Sequence, residues 1–306
     1  MDVSIIIVNY NTKSVLEKCL TSIFTKTFDI EYEVIVSDNG SIDGSIKMIK
    51  EKFPSVLLLE NNENLGFGKA NNRALKVSKG KYIMYLNSDT ILLNNAVKQF
   101  FDYFEKMDKN ILGAIGSYLL DENNIFIHSG GNFPNINTVI KKAFFDLLRI
   151  IKLSFCNKKL LFTKNENEIS NHQKIPSIVT EVDYITGADL FMPNNEFAKF
   201  DESFFLYYED TDLQKTLKEK TNKKTFLIPG PKIQHLEHKS NKYFSKLDFY
   251  VSIMKLNHTL SGVRYFSKHK ENKLKILLLK FLILIQWYNP KISSKTKKFR
   301  TELRKI

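Results

Sequence analysis

The sequence predicts an α/β fold: a mostly parallel sheet covered on both faces by helices, followed by a basic helical C-terminal appendage. Three observations carry that expectation. Short continuous apolar runs alternate with segments of helical periodicity through the first third of the chain, the pattern of strands buried on both faces. Each of these runs stops at a cluster of Asn, Asp, Ser or Gly. The net charge of +13 is unevenly placed: from residue 221 onward, 20 Lys and Arg stand against 4 acids, a balance of +16. A near-neutral body with a basic tail points to an anionic partner for the tail.

Taken in order, "VSIIIVNYN" (3–11) reads as a buried strand ending at Asn9, Tyr10 and Asn11. "KSVLEKCLTSIF" (13–24) sets Val15, Leu16, Cys19, Leu20 and Ile23 at helical spacing. "YEVIVSDNGSIDGS" (32–45) is a strand that stops at Asp38, Asn39 and Gly40, with Ser41 just beyond. "SIKMIKEKF" (45–53), "VLLLENN" (56–62) and "GKANNRALKVS" (68–78) read as helix, strand and helix. "YIMYLNSDT" (82–90) is a strand that finishes on Asn87, Ser88 and Asp89. A helix at 96–107 and a strand at 111–120 follow. Residues 135–175 read as an insertion whose 139–155 segment has an apolar and a basic face. "EVDYITGADLFMP" (181–193) is a strand-turn-strand around Gly187. A helix then opens at Glu209 with Leu213 and Leu217 on its apolar face, and "KTFLIPGPKIQHLEH" (224–238) is a strand, a turn and a histidine pair, His235 and His238. The expected domains are 1–240 and a basic helical segment, 241–306.

Composition narrows the class. With 43% hydrophobic residues the chain can bury a sizeable core. Two cysteines, Cys19 and Cys156, make no disulfide framework and predict a reducing, cytoplasmic setting. The N-terminus enters a strand at once, so no secretory leader is expected. The longest apolar run, 276–287, is broken by Lys280 and falls short of the roughly 20 residues a membrane span needs. It is expected to lie on a surface, with Trp287 and Tyr288 suited to anionic lipid.

Ligands of open α/β sheets bind beyond the carboxyl ends of the strands. Four polar clusters gather at such ends here: Asn9–Asn11, Asp38–Ser41, Asn61–Asn64 and Asn87–Asp89. Gly66 and Gly68 precede a helix start, a place where phosphate can bind, although the stretch is neither G-x-G-x-x-G nor a P-loop. Asp89 is a hard oxygen ligand suited to Mg²⁺ or Mn²⁺, and diphosphate oxygens would fill the remaining positions. His235 reads either as an added imidazole ligand or as a structural hydrogen-bonding residue. Glu209, Asp210 and Asp212 crowd one helix start. They serve either as dipole-complementing caps or as a site where one carboxyl has a raised pKa.

In sequence order, "VSIIIVNYN", "VSDNGSIDGS", "NLGFGKANNRAL", "YLNSDT", "TGADLFM", "FDESFFLYYEDTDL" and "IQHLEH" resemble the inverting glycosyltransferases of family 2, most of all their rhamnosyltransferase-like branch, over about residues 1–240. The resemblance implies a GT-A fold, Rossmann-like with a mixed, mostly parallel sheet. It implies that Asn9, Tyr10, Asn11 and Asp38 hold the donor's uracil or thymine base and ribose, with Asn39 and Ser41 lining the same pocket. Gly66, Phe67 and Asn71 would close over the nucleotide. Asn87, Ser88 and Asp89 stand at the family's Asp-x-Asp motif, with Asp89 and His235 at a divalent cation. Asp210 matches the catalytic base, Glu209 lies beside it, and Gly187, Ala188 and Asp189 would shape the acceptor and sugar pocket. One departure stands out: the first Asp of the motif is Asn87, which would touch ribose or hold the ion weakly.

The implied donor is dTDP-rhamnose or a UDP-sugar, and the implied acceptor a hydroxyl of a glycan or a lipid-linked glycan. The basic tail would then rest on the inner face of the cell membrane. Two other classes compete. A nucleic-acid-binding protein would use the tail, but the tail holds no recognition motif and leaves Asp38, Asp89 and the acids at 209–212 unexplained. A sugar nucleotidyltransferase would show a Gly-rich, basic N-terminal signature, which "IIIVNYNTKS" lacks.

Overall fold

The computed structural model describes residues 1–155, 176–236, 252–290 and 292–306. Cys156 and His238 lie outside the described residues. The chain divides into two compact units. One holds Met1–Phe133, Ser170–Phe205 and Glu209–His238; the other holds Pro134–Ile169, Leu206–Tyr208 and Lys239–Ile306.

The first unit is built on an eight-stranded sheet in the order β3-β2-β1-β4-β10-β6-β11-β8. Its strands are β1 (Val3–Asn9), β2 (Tyr32–Asp38), β3 (Leu57–Glu60), β4 (Tyr82–Asn87), β6 (Leu112–Ser117), β8 (Thr180–Val182), β10 (Asp189–Pro193) and β11 (Lys224–Ile228). Strands β3, β2, β1 and β4 run parallel. β10 lies antiparallel between β4 and β6, β11 runs parallel to β6, and β8 is antiparallel to β11. The mixed character comes mainly from β10, whose place in the sheet no periodicity in its five residues could announce.

Side-chain alternation along β1 supplies two cores. Ile5 and Ile7 join α1 (Lys13–Lys26) and α4 (Ala96–Lys106) on one face, packed with Leu16, Leu20, Phe100 and Phe191. Ile6 points to the other face, with Tyr85, Leu190, Phe200 and Leu213. Both faces are buried, which is why β1 reads as an unbroken apolar run. Helices α2 (Ser45–Lys52), α3 (Phe67–Leu75) and α6 (Glu209–Thr221) complete the layers. Two ribbons lie outside the main sheet: β5 (Thr90–Leu92) with β12 (Ile233–His235), and β7 (Gly130–Gly131) with β9 (Tyr184–Ile185).

The second unit is helical: α5 (Ile136–Phe155), α7 (Ile253–Lys268), α8 (Lys273–Trp287) and α9 (Ser293–Lys305). It joins the helix of the 135–175 insertion to the tail, a pairing that the 97 residues between α5 and α7 conceal in the sequence. Gln286 Nε2 donates to the Ala143 carbonyl at 2.7 Å between α8 and α5. Tyr207 and Tyr208 adopt positive φ, +72° and +67°. The Tyr208 ring lies close to Gly262: a Cβ there would meet its Oη at 3.2 Å, a tight contact. His258 packs between these tyrosines, and burial pushes its pKa down to about 4.

One expectation is corrected here. Trp287 is 3% exposed, packed on Phe299, with its carbonyl accepting from Thr296 Oγ1 and Arg300; it is core and cannot serve as a surface anchor. Tyr288 remains about half exposed beneath the Arg300 guanidinium. No described helix is long and apolar enough to cross a membrane.

Candidate active site

Sheet register gathers the polar strand ends. Asn9 lies opposite Asp38, and Val8 opposite Asn87. Asn9 Nδ2 donates to Asp38 Oδ2 at 2.6 Å and to Ser41 Oγ at 3.0 Å, while Asn9 Oδ1 accepts from Thr12 Oγ1 at 2.6 Å. Ser41 N–H donates to Asp38 Oδ1 at 2.8 Å. Thr12 Oγ1 lies 3.0 Å from Ser88 Oγ, tying the end of β1 to the end of β4. Asn11, at φ +54°, accepts the Ile42 N–H, and Tyr10 beside it is 48% exposed. Thr12 was not among the sequence-expected residues; a threonine before a helix carries only a capping signal, yet here its hydroxyl links two strand ends.

The glycine stretch is built as a close approach. Gly66 has φ +83°, and a Cβ there would meet the Phe205 carbonyl oxygen at 2.3 Å. Its N–H donates to Asn64 Oδ1 at 3.0 Å, and the Phe67 N–H to the Phe205 carbonyl at 2.9 Å. These two amides are therefore occupied within the protein, and the helix start loses donors a phosphate would use. Asn39 Nδ2 reaches the Gly66 carbonyl at 3.1 Å, and Asn71 Nδ2 the Phe67 carbonyl at 3.1 Å. The stretch thus shapes a wall next to Asp38.

A second corner forms where β5 pairs with β12. That register puts His235 opposite Thr90, and Leu236 N–H donates to the Asp89 carbonyl at 2.9 Å. Asp89 Oδ1 and His235 Nε2 end 3.2 Å apart, with Asn87 Nδ2 3.3 Å from the same Nε2. Two ligands at right angles on one Mn²⁺ or Mg²⁺, each at about 2.1 Å, stand about 3 Å apart, so the pair fits a shared cation. Among the described residues no three His, Cys, Asp or Glu side chains cluster to hold a metal by themselves. Such an ion would draw its further ligands from a bound diphosphate and water.

The third corner is the start of α6. Asp210 Oδ2 accepts from the Gly187 N–H at 2.9 Å, and Oδ1 from Thr211 N–H at 2.7 Å and Thr211 Oγ1 at 3.2 Å. Burial raises the Asp210 pKa, and these donors oppose the rise. The residue as a whole keeps partial solvent exposure. Glu209 is 5% exposed, and its Oε2 has no hydrogen-bond partner among the described residues. Burial first, then the charge of Asp210, holds its carboxyl well above the usual range. A Cβ at Gly187 would meet the Phe67 ring at 3.2 Å and Asp210 Cβ at 3.7 Å, so the glycine stretch and the acid corner converge on one glycine.

Ala188 and Asp189 are sealed rather than lining an open pocket. The Ala188 carbonyl accepts the Asn87 N–H at 3.0 Å. Asp189 Oδ2 accepts from Ser117 N–H at 2.7 Å and Ser117 Oγ at 2.5 Å, and Oδ1 has no partner among the described residues. Burial pushes the Asp189 pKa up to about 6. These two side chains act from behind the sheet edge, and of the three residues only Gly187 reaches the acid corner.

With the strand ends, the Asp89–His235 pair and the Glu209–Asp210 helix start in place, the comparisons can be read against the geometry. The family model described as glycosyl transferase family 2 matches residues 4–162, just over half of the chain. The chain belongs to that family. A poly(ribitol-phosphate) beta-glucosyltransferase of Bacillus spizizenii is 31% identical over 116 residues, 36% of this chain and 18% of that protein. A UDP-Glc:alpha-D-GlcNAc-diphosphoundecaprenol beta-1,3-glucosyltransferase of Escherichia coli is 28% identical over 136 residues, 44% of this chain and 53% of that protein. The chain thus spans about half or less of these relatives' lengths. A mannosyltransferase of Pyrobaculum calidifontis, solved with GDP-Man and Mn²⁺, matches 97% of this chain and 73% of its own with a TM-score of 0.55 at 15% identity. That likeness shows a shared GT-A fold.

Proposed function

We propose that this family 2 protein transfers a sugar from a nucleoside-diphosphate sugar, dTDP-rhamnose or a UDP-sugar, to a hydroxyl of a glycan or lipid-linked glycan in bacterial surface polysaccharide assembly. The observation that carries the reading is the placing of the Asp89–His235 pair, 3.2 Å apart, at the same strand ends as the Asn9–Asp38–Ser41 network. The names of the two relatives support the substrate class, and the Pyrobaculum neighbour carries Mn²⁺ with its donor.

In this reading Asp38, Asn9 and Ser41 fix the loop that takes base and ribose. Asp89 and His235 would hold a divalent cation, whose chemistry is to neutralise charge on the leaving diphosphate. Asp210 takes the proton of the acceptor hydroxyl while that oxygen attacks the anomeric carbon from the face opposite the diphosphate. The bond to the diphosphate oxygen breaks with its electron pair, and the product has inverted configuration. The Gly187 N–H and the Thr211 donors fix Asp210 for that one transfer. The basic tail supports, in this reading, a reaction at the inner face of a membrane, where a lipid-linked acceptor would lie.

Thermal stabilisation by UDP, dTDP, GDP and ADP, each with and without Mn²⁺ or Mg²⁺, tests the assignment. A ligand that binds only the native state at a hundredfold excess over its Kd adds about 2.7 kcal/mol. The expected result is a rise with UDP or dTDP that grows with metal. A panel in which no nucleotide raises the melting temperature would remove the donor site.

A further inference from the structure

Helix α8 presents two different faces. Leu279, Leu282, Ile283, Gln286 and Trp287 are buried within the helical unit. Leu274, Leu277, Leu278, Phe281 and Ile285 recur at intervals of three and four on the opposite side and are 75%, 59%, 46%, 60% and 40% exposed. A helix that is apolar all round is ordinarily buried all round, and here one side is covered by nothing among the described residues. At 3.6 residues per turn, Lys273 and Lys280 border this exposed stripe on one edge and Lys275 on the other. That order, an apolar stripe with lysines on both edges, is the one long cationic side chains need to reach headgroups while the stripe enters the acyl boundary.

The neighbouring α5 also exposes apolar side chains, interspersed with cations. Phe144, Phe145, Leu148 and Ile151 are each more than 40% exposed, and Lys141, Lys142, Arg149 and Lys152 share the exposed arc. Charge makes the occupant specific. The four helices of this unit carry sixteen Lys and Arg and two acids, Asp146 and Glu302. Asp146 is buried and paired with Lys255 at 3.3 Å, so it does not offset the surface charge. A second copy of this chain would bring another cationic surface against the first, which like-charge repulsion opposes.

We propose that the exposed stripe of α8, aided by that of α5, is a docking surface for an anionic lipid bilayer, entered from one side to interfacial depth. This deepens the membrane partner proposed above. It moves the contact from the charge of the tail as a whole to one defined apolar stripe, and it takes Trp287 out of that contact. It stands apart from the transfer chemistry. At 15 residues α8 is about 22 Å long, short of the roughly 30 Å hydrocarbon core, so lying flat is the geometry it can adopt.

Vesicle flotation of the full chain tests this, with vesicles of phosphatidylcholine alone and of phosphatidylcholine with phosphatidylglycerol. The wild type should float with the anionic vesicles and at least about tenfold less with the neutral ones. High salt should release only part of it, because the apolar contact is not screened. The double variant Leu277→Ser, Phe281→Ser should lose about tenfold or more in partition. Both residues are solvent-facing, and an unchanged far-UV spectrum would show the fold intact. Phe281→Trp should give a blue-shifted emission on adding anionic vesicles, since the native Trp287 is already buried. Wild type that stays with the soluble fraction, a double variant that floats undiminished, or concentration-dependent self-association abolished by the double variant would each overturn the lipid surface. Nucleotide-induced stabilisation read on the same samples keeps the two proposals separate: its absence counts against the donor site, and flotation counts only on the lipid surface.

Discussion

Two corners of the sheet unit use the same functional group in opposite environments. Asp89 keeps 18% of its side-chain surface exposed beside His235, a geometry ready for a cation. Glu209 and Asp210 sit at a helix start where burial raises both carboxyl pKa values, and Glu209 leaves an oxygen without a partner among the described residues. The contrast teaches that position relative to solvent and donors, not residue type, assigns a carboxylate its task. In the proposed reading Asp89 binds charge. Asp210, held by three donors on a partly exposed residue, takes a proton. Glu209, adjacent but buried, takes neither role.

The largest expected effect breaks the acid corner alone. Asp210→Asn should lower transfer by about 10²–10⁴-fold, the span of a general base, while donor affinity stays within about threefold. Steady-state turnover with a saturating donor checks it, and turnover above about a tenth of wild type would remove Asp210 from the base role.

Next comes the buried Asp189. Its raised folded pKa means that its share of stability is fully present below the usual carboxylate value near 4 and is lost as pH rises through about 6. Asp189→Asn keeps an acceptor for Ser117 and removes the charge. Its melting temperature relative to wild type should therefore climb between pH 4 and pH 8, by an amount corresponding to at most about 3 kcal/mol. A flat difference across that range would show that Asp189 is not held as argued.

Smaller still, His235→Ala should weaken Mn²⁺ binding in the presence of nucleotide by about 10–100-fold, measured by calorimetric titration. An unchanged Mn²⁺ affinity would detach the histidine from the cation corner. Smallest is Glu209→Gln, which copies the protonated form burial favours. Turnover should stay within about tenfold and stability within about 1 kcal/mol of wild type. A loss as deep as that of Asp210→Asn would erase the distinction between the two neighbours.

Much of the first corner could be read from residues. Asn9, Asp38 and Asn87 mark strand ends because each follows an unbroken apolar run, and parallel register alone aligns them. His235 was legible as a candidate but not its meeting with Asp89. That meeting depends on a three-residue ribbon, Thr90–Leu92 with Ile233–His235, too short to carry a periodic signal. The acid cluster at 209–212 was visible, yet the different burial of its members was not, because burial is a property of packing. Ser117, which anchors Asp189, lies at the end of an ordinary strand and gives no sign in the sequence. The two amides of the glycine stretch had looked available for phosphate. Only the close approach of Phe205 shows them taken, and long-range backbone contacts of that kind leave no local mark. In the helical unit the insertion helix and the tail were each expected to be amphipathic, whereas their union and the burial of Trp287 follow from tertiary contacts.

The division of labour between the corners is tested most directly by titrating UDP and dTDP, with and without Mn²⁺, into Asp89→Asn and Asp210→Asn side by side. The account predicts that Asp89→Asn loses the metal-dependent part of nucleotide affinity, while Asp210→Asn binds as the wild type does and fails only in transfer. Equal losses of metal-dependent binding in both variants, or none in Asp89→Asn, would contradict it.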